Sequence, residues 1–445
     1  SRRPNREKIK AQNKQYKKAQ KMLRQDEKAA GLQKLSHGTI SNCKSRFESV
    51  EEERCARNEV TAEHLSILRS KLPILLKRLA KIEDPRNPKK IKHKLSTLMI
   101  YGILTFVFQK ASCREANKEM SRPMFWQNLQ YFFPELETLP HHDTLKRLLS
   151  RIDINQIEKL HIDLIKDLIR KKKFRRYLIN NCYPIAIDGT GKFKRDWLWE
   201  EECLERNIKS DDETEKQYHV YVLEANLAFY DGMTIPLMSE VLSYTEGDTG
   251  NDKQDCELKA FYRLASRLKK AFPALKIMVL LDGLYANGPV TEICRKNKWQ
   301  FMIVLKEDGL PSVMNEFEAL SAIERQEHRH RWGNRKQVFR WINGIDYRFG
   351  SNDKKSQILH VVECKENWKE IDRESGNPEE KSSRHVWLSS EPLNKCNLHE
   401  RCNLAARSRW CIESNILVEK HHGYNYESVD LVGLENYQPS DDFSN

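Results

Sequence analysis

"LKIMVLLDG", residues 275–283, is a nearly unbroken apolar run that ends on an acid. A short run of this kind, closed by a turn signal, is what a strand buried on both faces looks like. Ligand sites of open α/β sheets collect just beyond such strand ends, so Asp282 lies where chemistry is expected. Upstream, "YPIAIDGTGKF" (183–193), "QYHVYVLEANLAFYDG" (217–232) and "MTIPLMSEVLSY" (233–244) alternate in polarity. They read as three successive strands, with an Asp231-Gly232 turn between the last two. "DCELKAFYRLASRLKKAF" (255–272) reads as a helix that packs through Leu258, Phe261, Leu264, Ala265, Leu268 and Phe272. After Asp282 come a short helix and a second buried strand, "FMIVLK" (301–306).

Three strands, a helix, a strand, a helix and a strand make an α/β fold with a ribonuclease H-like mixed sheet flanked by helices. Farther along, "KQVFRWI" (336–342), "YRFG" (347–350), "QILHVVECK" (357–365) and "RHVWLSS" (384–390) read as strands of an inserted β-rich subdomain. Helical periodicity dominates before the core. Asp153 and Gln156 form a capping-box-like start to a helix whose face carries Ile157, Leu160, His161, Leu164, Ile165 and Leu168. "LPHHDTLKRLLSRI" (139–152) reads as the second helix of a helix-turn-helix. The expected divisions are a basic, flexible arm (1–60), a helical DNA-binding region (61–180), the first part of the core (181–306), the β-rich insertion (307–397), a core helix carrying Glu413 (398–427) and a short acidic tail (428–445).

The net charge of +13 over 445 residues favours a polyanionic partner, because cations that neutralise phosphates release condensed counterions. The longest apolar run, "LSTLMIYGILTFVF" (95–108), is shorter than the roughly 20 residues of a bilayer span and reads as a buried helix. No secretory signal is expected, and no membrane partner. The 11 cysteines contain no Cys-x-x-Cys and are an odd number, which points to reduced thiols.

Two aspartates stand out. Asp188 in "AIDGT" follows apolar neighbours, where a charge is costly unless it is used or paired. Asp188 and Asp282 are both followed by Gly, which lets the chain turn and leaves room for a ligand. In "RWCIESNILVEK" (409–420), helical spacing brings Arg409, Glu413 and Lys420 to one face and leaves Trp410, Ile412, Ile416 and Leu417 for packing. Taken alone, such a stripe is a common solvated face, adding about 0.2–0.5 kcal/mol per pair. Combined with the two aspartates, Glu413 completes a set of hard oxygen donors for two Mg²⁺ ions, for which Mn²⁺ substitutes, about 3.5–4 Å apart.

Asp188, Asp282 and Glu413 in that order, with a β-rich insertion before the Glu, resemble the DDE transposases of bacterial insertion sequences. The resemblance is to the group marked by a Tyr-x2-Arg-x3-Glu-x6-Lys signature. Arg409, Glu413 and Lys420 stand at those spacings, "HHGYNYE" (421–427) follows, and Ala406 takes the Tyr position. The similarity runs from about Glu83 to Glu427 and includes "EDPRNPKKIKHKLSTLMIYGIL" (83–104). It implies metal-dependent cleavage of transposon ends and 3′-OH strand transfer into target DNA, without a covalent enzyme intermediate. Arg409 and Lys420 would face the DNA backbone, and Trp332 and Trp341 in the insertion read first as core or sheet packing, with stacking on a flipped base as the role the resemblance offers. The implied partners are double-stranded DNA, as terminal inverted repeats and as target, and a second copy of the chain in a synaptic dimer. The implied location is the bacterial cytoplasm, on the nucleoid. The alternative is a transposase-derived DNA-binding protein, a repressor or structural factor that does not cut. Ala406 motivates it, as does the acidic stretch "SVDLVGLENYQPSDDFSN" (428–445), where relatives carry another helix.

Overall fold

The computed structural model describes residues 6–32, 75–107, 113–123, 138–195, 203–209, 214–242, 253–372 and 375–421, with a few isolated positions between them. The expectations for 422–445, and for most of 33–74, lie outside the described residues.

The basic arm, expected to be flexible, contributes a helix, α1 (Arg6–Ala29). Among the described residues, the longer helices that precede the sheet are α2 (Leu95–Val107), α3 (Cys113–Met120), α4 (His142–Leu149) and α5 (Ile154–Arg170). The apolar run expected as a buried helix is α2, whose Leu98 and Tyr101 are fully buried against Ala116, Met120, Leu145 and Leu148 of α3 and α4. Among the described residues no helix is long and apolar enough to cross a membrane. Asp153 caps α5 by accepting from the Asn155 N–H at 2.9 Å. Gln156 does not close a capping box: its Oε1 accepts from the Glu83 N–H at 2.9 Å, so the side chain ties two segments together.

Helix α5 has two packing faces. Ile157 and Leu160 pack on the helical cluster, while Ile162 and Ile165 join the core of the sheet. His161 spans the boundary, its Nε2 lying 2.7 Å from the Pro236 carbonyl oxygen.

A mixed sheet of ten strands follows. The strands are β1 (Tyr183–Arg195), β2 (Leu204–Lys209), β3 (Thr214–Ala228), β4 (Thr234–Val241), β5 (Ile277–Leu281), β6 (Gln300–Val304), β7 (Glu327–Trp332), β8 (Arg335–Phe349), β9 (Lys355–Ile371) and β10 (Pro378–Ser389). Their order is β2-β3-β1-β5-β6-β10-β9-β8-β7, with β4 also on β3. Strands β1, β5 and β6 run parallel, and the other pairings are antiparallel. Gly232, at φ +89°, makes the expected β3–β4 turn, since a positive φ strains other residues.

The strands of the segment expected as an inserted β-rich subdomain extend this sheet, with Trp387–Ser389 of β10 paired to Met302–Val304 of β6. "KQVFRWI" and "YRFG" are one strand, β8, bent where the register shifts between Asn343 and Ile345 and where Gly344 has φ +85°.

Helices α6 (Lys253–Ala271), α7 (Gly288–Lys296) and α8 (Pro311–Glu324) cover one face of the sheet. Ala260, Phe261, Leu264, Ala265 and Leu268 of α6 meet Ile185, Ile187, Leu223, Val279 and Leu281 there. The opposite face carries a wide helical turn (His399–Ala405), a tight one (Ala406–Arg409) and α9 (Trp410–His421). On that side Leu398, Cys402, Ala406, Ile412 and Ile416 pack against Ala186, Met278, Leu280, Met302 and Trp387. Strand alternation thus divides two cores, and both candidate aspartates lie on the α9 side.

Candidate active site

In β1, Ile185 and Ile187 point toward α6, so Ala186 and Asp188 point toward α9; in β5, Met278 and Leu280 share the α9 side with Asp282 just beyond them. The parallel register pairs Ala186 with Leu280, and Asp188 and Asp282 follow two residues beyond that pair, near enough for the Asp282 charge to act on Asp188. Adjacent strands lie about 4.8 Å apart, so the two carboxylates start from neighbouring backbones. Asp282 caps the turn that follows it, accepting from the Leu284 N–H at 2.9 Å.

The tight turn Ala406–Arg409 lies over β1 and β5, and α9 continues from it over β1, β3 and β4. Ile412 and Ile416 are the residues it buries, whereas Trp410 and Leu417, expected to pack, are about half exposed at 47% and 51%. The polar stripe is not uniformly wet. Arg409 is only 7% exposed and lies over the sheet. One of its terminal nitrogens is 2.6 Å from Glu413 Oε1, the expected i,i+4 pair, and the other is 3.7 Å from Asp188 Oδ2. Arg409, expected to face DNA, therefore stands between two of the candidate acids. The Glu413 side chain is half exposed, and Lys420 sits two turns along, half-buried. Ala406, at the signature's Tyr position, is buried in the core.

Burial pushes the Asp188 carboxyl up to about 6, with Glu413 and Asp282 adding to the rise and Arg409 and the Gly189 N–H opposing it. This carboxyl feels two other acids, which is the electrostatic signature of a shared site.

The glycines after the aspartates leave room for protein rather than ligand. A Cβ on Gly189 would meet the Tyr221 ring at 2.6 Å, and one on Gly283 would meet Lys306 Cγ at 2.8 Å. Lys306 is thereby laid across the end of β5, beside Asp282.

A recess of about 490 Å³ opens next to Asp282, lined among others by Lys306, Trp387, Arg407, Arg409 and Trp410. Its floor is a buried polar network. Glu366, at 1% exposure, accepts from Arg407 at 2.8 Å, Gln337 at 2.9 Å and Ser383 at 2.9 Å, and also pairs with Arg335. The Arg407 guanidinium lies 5.1 Å from the Trp332 ring centre and 5.7 Å from that of Trp387. His385 stacks on Trp387 and meets Trp410 edge-on, with centroids 5.4 and 5.7 Å away.

Of the two tryptophans expected to stack a base, Trp341 is 5% exposed within the core, and Trp332 has the Arg407 guanidinium over its ring. The exposed aromatic of the recess is Trp410, which the sequence reading assigned to packing. Glu224, which reads in the sequence as a strand residue, also belongs to this face. It pairs in register with Asp188 on the same face, is 8% exposed and binds Lys192 at 2.5 Å. Its signal was a carboxylate inside the apolar alternation of "VYVLEANLAF".

The donor chemistry of Asp188, Asp282 and Glu413 fits a hard divalent cation. As arranged, however, Arg409 separates Glu413 from Asp188. Among the described residues no three His, Cys, Asp or Glu side chains stand close enough to hold one ion.

Three comparisons with known proteins bear on the chain. Residues 76–165, which span α2 to most of α5, match the family model described as DDE_Tnp_1-associated. No curated protein matches. Among solved structures, a piggyBac transposase synaptic complex with hairpin DNA is similar at 11% identity and a TM-score of 0.30, covering 78% of this chain. The alignment spans 65% of that transposase chain, and at this TM-score it adds no structural detail. The family match is confined to the helical region that precedes the sheet.

Proposed function

We propose that this protein is a DNA transposase of the DDE type, cleaving transposon ends and joining their 3′-hydroxyls to target DNA. What supports the reading is that Asp188 lies on β1 and Asp282 just past the end of the adjacent parallel strand β5, and that Arg409 links Asp188 to Glu413 of α9. The strand order supports a ribonuclease H-like core: parallel β1, β5 and β6, with antiparallel β3 beside β1 and β4 beyond it. The match over residues 76–165 supports a helical region that works alongside that core.

Asp188, Asp282 and Glu413 would hold Mg²⁺ or Mn²⁺, two ions per site, which when bound supply Lewis-acid activation for in-line attack on a phosphodiester. The chain's own cations do the positioning. Lys306 and Arg407 line the recess beside Asp282 and would neutralise backbone phosphates, and Lys420 near the C-terminal end of α9 would add a further phosphate contact. An unstacked base entering the recess would meet Trp410 rather than Trp332 or Trp341. Double-stranded DNA, as inverted repeats and as target, is the proposed partner. The helical region of 61–180 would contribute to its recognition, and a pair of chains would hold two ends together. The bacterial nucleoid is the corresponding location.

The test uses DNA from either side of the reading frame. Asp282→Asn should abolish Mg²⁺-dependent nicking and joining while end binding stays nearly intact; retained cleavage removes the assignment. The second reading, a DNA-binding protein that no longer cuts, is favoured by the seat of Arg409 between Asp188 and Glu413. It predicts metal-independent binding and no nick with either ion.

A further inference from the structure

We propose that Arg409 is an internal counter-ion that closes the acid site, and that a divalent cation is held by Asp188 and Glu413 only after the guanidinium has left. This rests on the acids being the metal site of the function proposed above. The sequence reading gave Arg409 to the DNA backbone, but the structure buries it to 7% exposure over β1. Its fork reaches Glu413 at 2.6 Å and Asp188 at 3.7 Å. A guanidinium is a planar cation that fills the space between two carboxylates and keeps their oxygens apart. A hard divalent ion needs those oxygens at about 2.0–2.1 Å from one centre, so both cations do not fit at once.

Further observations make the seat of Arg409 a place it can leave. The Glu413 partner is half exposed, so solvent is at hand to take the place of the guanidinium on that carboxylate. Arg409 Nε is buried without a hydrogen-bond partner, so the guanidinium is only partly satisfied where it stands. The same side chain already lines the recess beside Asp282 and Trp410, which gives it a neighbouring position to move into. Releasing it exchanges one Glu413 partner for another and breaks no covalent bond. Arg409 thus penalises metal entry by charge as well as by occupancy, because a monovalent cation a few ångströms from a divalent one repels it even in a high dielectric.

The experiment measures Mn²⁺ binding to the full chain in the absence of DNA, by electron paramagnetic resonance of the free ion. The proteins are the wild type, Arg409→Gln, Arg409→Lys, Asp188→Asn and the Arg409→Gln/Asp188→Asn double variant. Arg409→Gln is expected to bind Mn²⁺ about tenfold more tightly than the wild type. Arg409→Lys keeps the charge and the stem but shortens the reach, so it should fall between the two; it also serves if the Gln variant does not fold. Asp188→Asn should weaken binding in both backgrounds. If Asp188→Asn weakens binding while both Arg409 variants match the wild type or bind less tightly, the acids are the metal site and the counter-ion role is refuted. If Asp188→Asn changes nothing in either background, the acids do not hold the ion. In that case this inference and the proposed function fall together.

Discussion

Asp188→Asn should make the protein more stable at pH 8 while removing its proposed activity. Burial, Glu413 and Asp282 together raise the Asp188 carboxyl from an ordinary 3.8 to about 6, even with Arg409 and the Gly189 N–H opposing them. A carboxyl with a raised folded-state pKa binds its proton more tightly when folded. Its favourable contribution is therefore complete below about pH 4 and is lost as the pH rises through about 6. At about 1.4 kcal/mol per tenfold in proton affinity, the ionised side chain costs the folded state at most about 3 kcal/mol above that pH. Asparagine has no charge to bury and keeps an oxygen for the Gly189 N–H, which Asp188 Oδ1 accepts at 3.0 Å. Arg409 loses one of its two acids, so the expected gain at pH 8 is about 1–3 kcal/mol, or several degrees of melting temperature for a unit of this size. Thermal melts of both proteins at pH 4, 6 and 8 provide the assay. The two curves should converge at pH 4 and separate as the pH rises. A variant less stable at pH 8, or a gain that persists unchanged at pH 4, refutes the electrostatic reasoning.

Glu366→Ala should destabilise the protein by about 3–5 kcal/mol in urea unfolding, because it leaves Arg335 and Arg407 without their buried carboxylate. Burial alone would raise the Glu366 carboxyl. The hydrogen bonds and charges of His385, Arg407, Gln337 and Arg335 outweigh it and hold the carboxyl far below its usual range. Its contribution is then present above the ordinary carboxylate pKa and fades as the solution is acidified, so the gap between wild type and variant should narrow in acid. On α9, Ile412→Ala should cost about 2–5 kcal/mol by opening a cavity against the sheet, and Leu417→Ala less than about 0.5 kcal/mol. Equal effects in urea unfolding would mean that α9 packs through another face.

The core was legible because strands buried on both faces have few alternatives. "LKIMVLLDG" and "YPIAIDGTGKF" are legible as core strands, and the register that pairs Ala186 with Leu280 places those two neighbours of the aspartates on one side. The β3–β4 hairpin followed from Asp231-Gly232. What was not legible depends on contacts between distant segments. Spacing brought Arg409 and Glu413 together, but only the crossing of the 399–421 segment over β1 decides that Arg409 turns to Asp188 instead of solvent. The same holds for Trp332, whose partner Arg407 lies 75 positions along the chain. The insertion reads as a β-rich subdomain because its short strands are separated by polar, charged turns. Its continuity with the core rests on three residues of β10 pairing with β6, a register that no local pattern encodes. Helix α8 carried a signal that was missed, a proline at its first turn.

The central claim is that Asp188, Asp282 and Glu413 grip divalent cations at the mouth of the recess. Anomalous scattering from crystals soaked in Mn²⁺ tests it most directly. The account predicts a peak within about 2.2 Å of carboxylate oxygens from both Asp188 and Asp282, with Glu413 turned toward it and Arg409 displaced. A Mn²⁺ peak at any other group of side chains, with Arg409 still seated between Asp188 and Glu413, would contradict it.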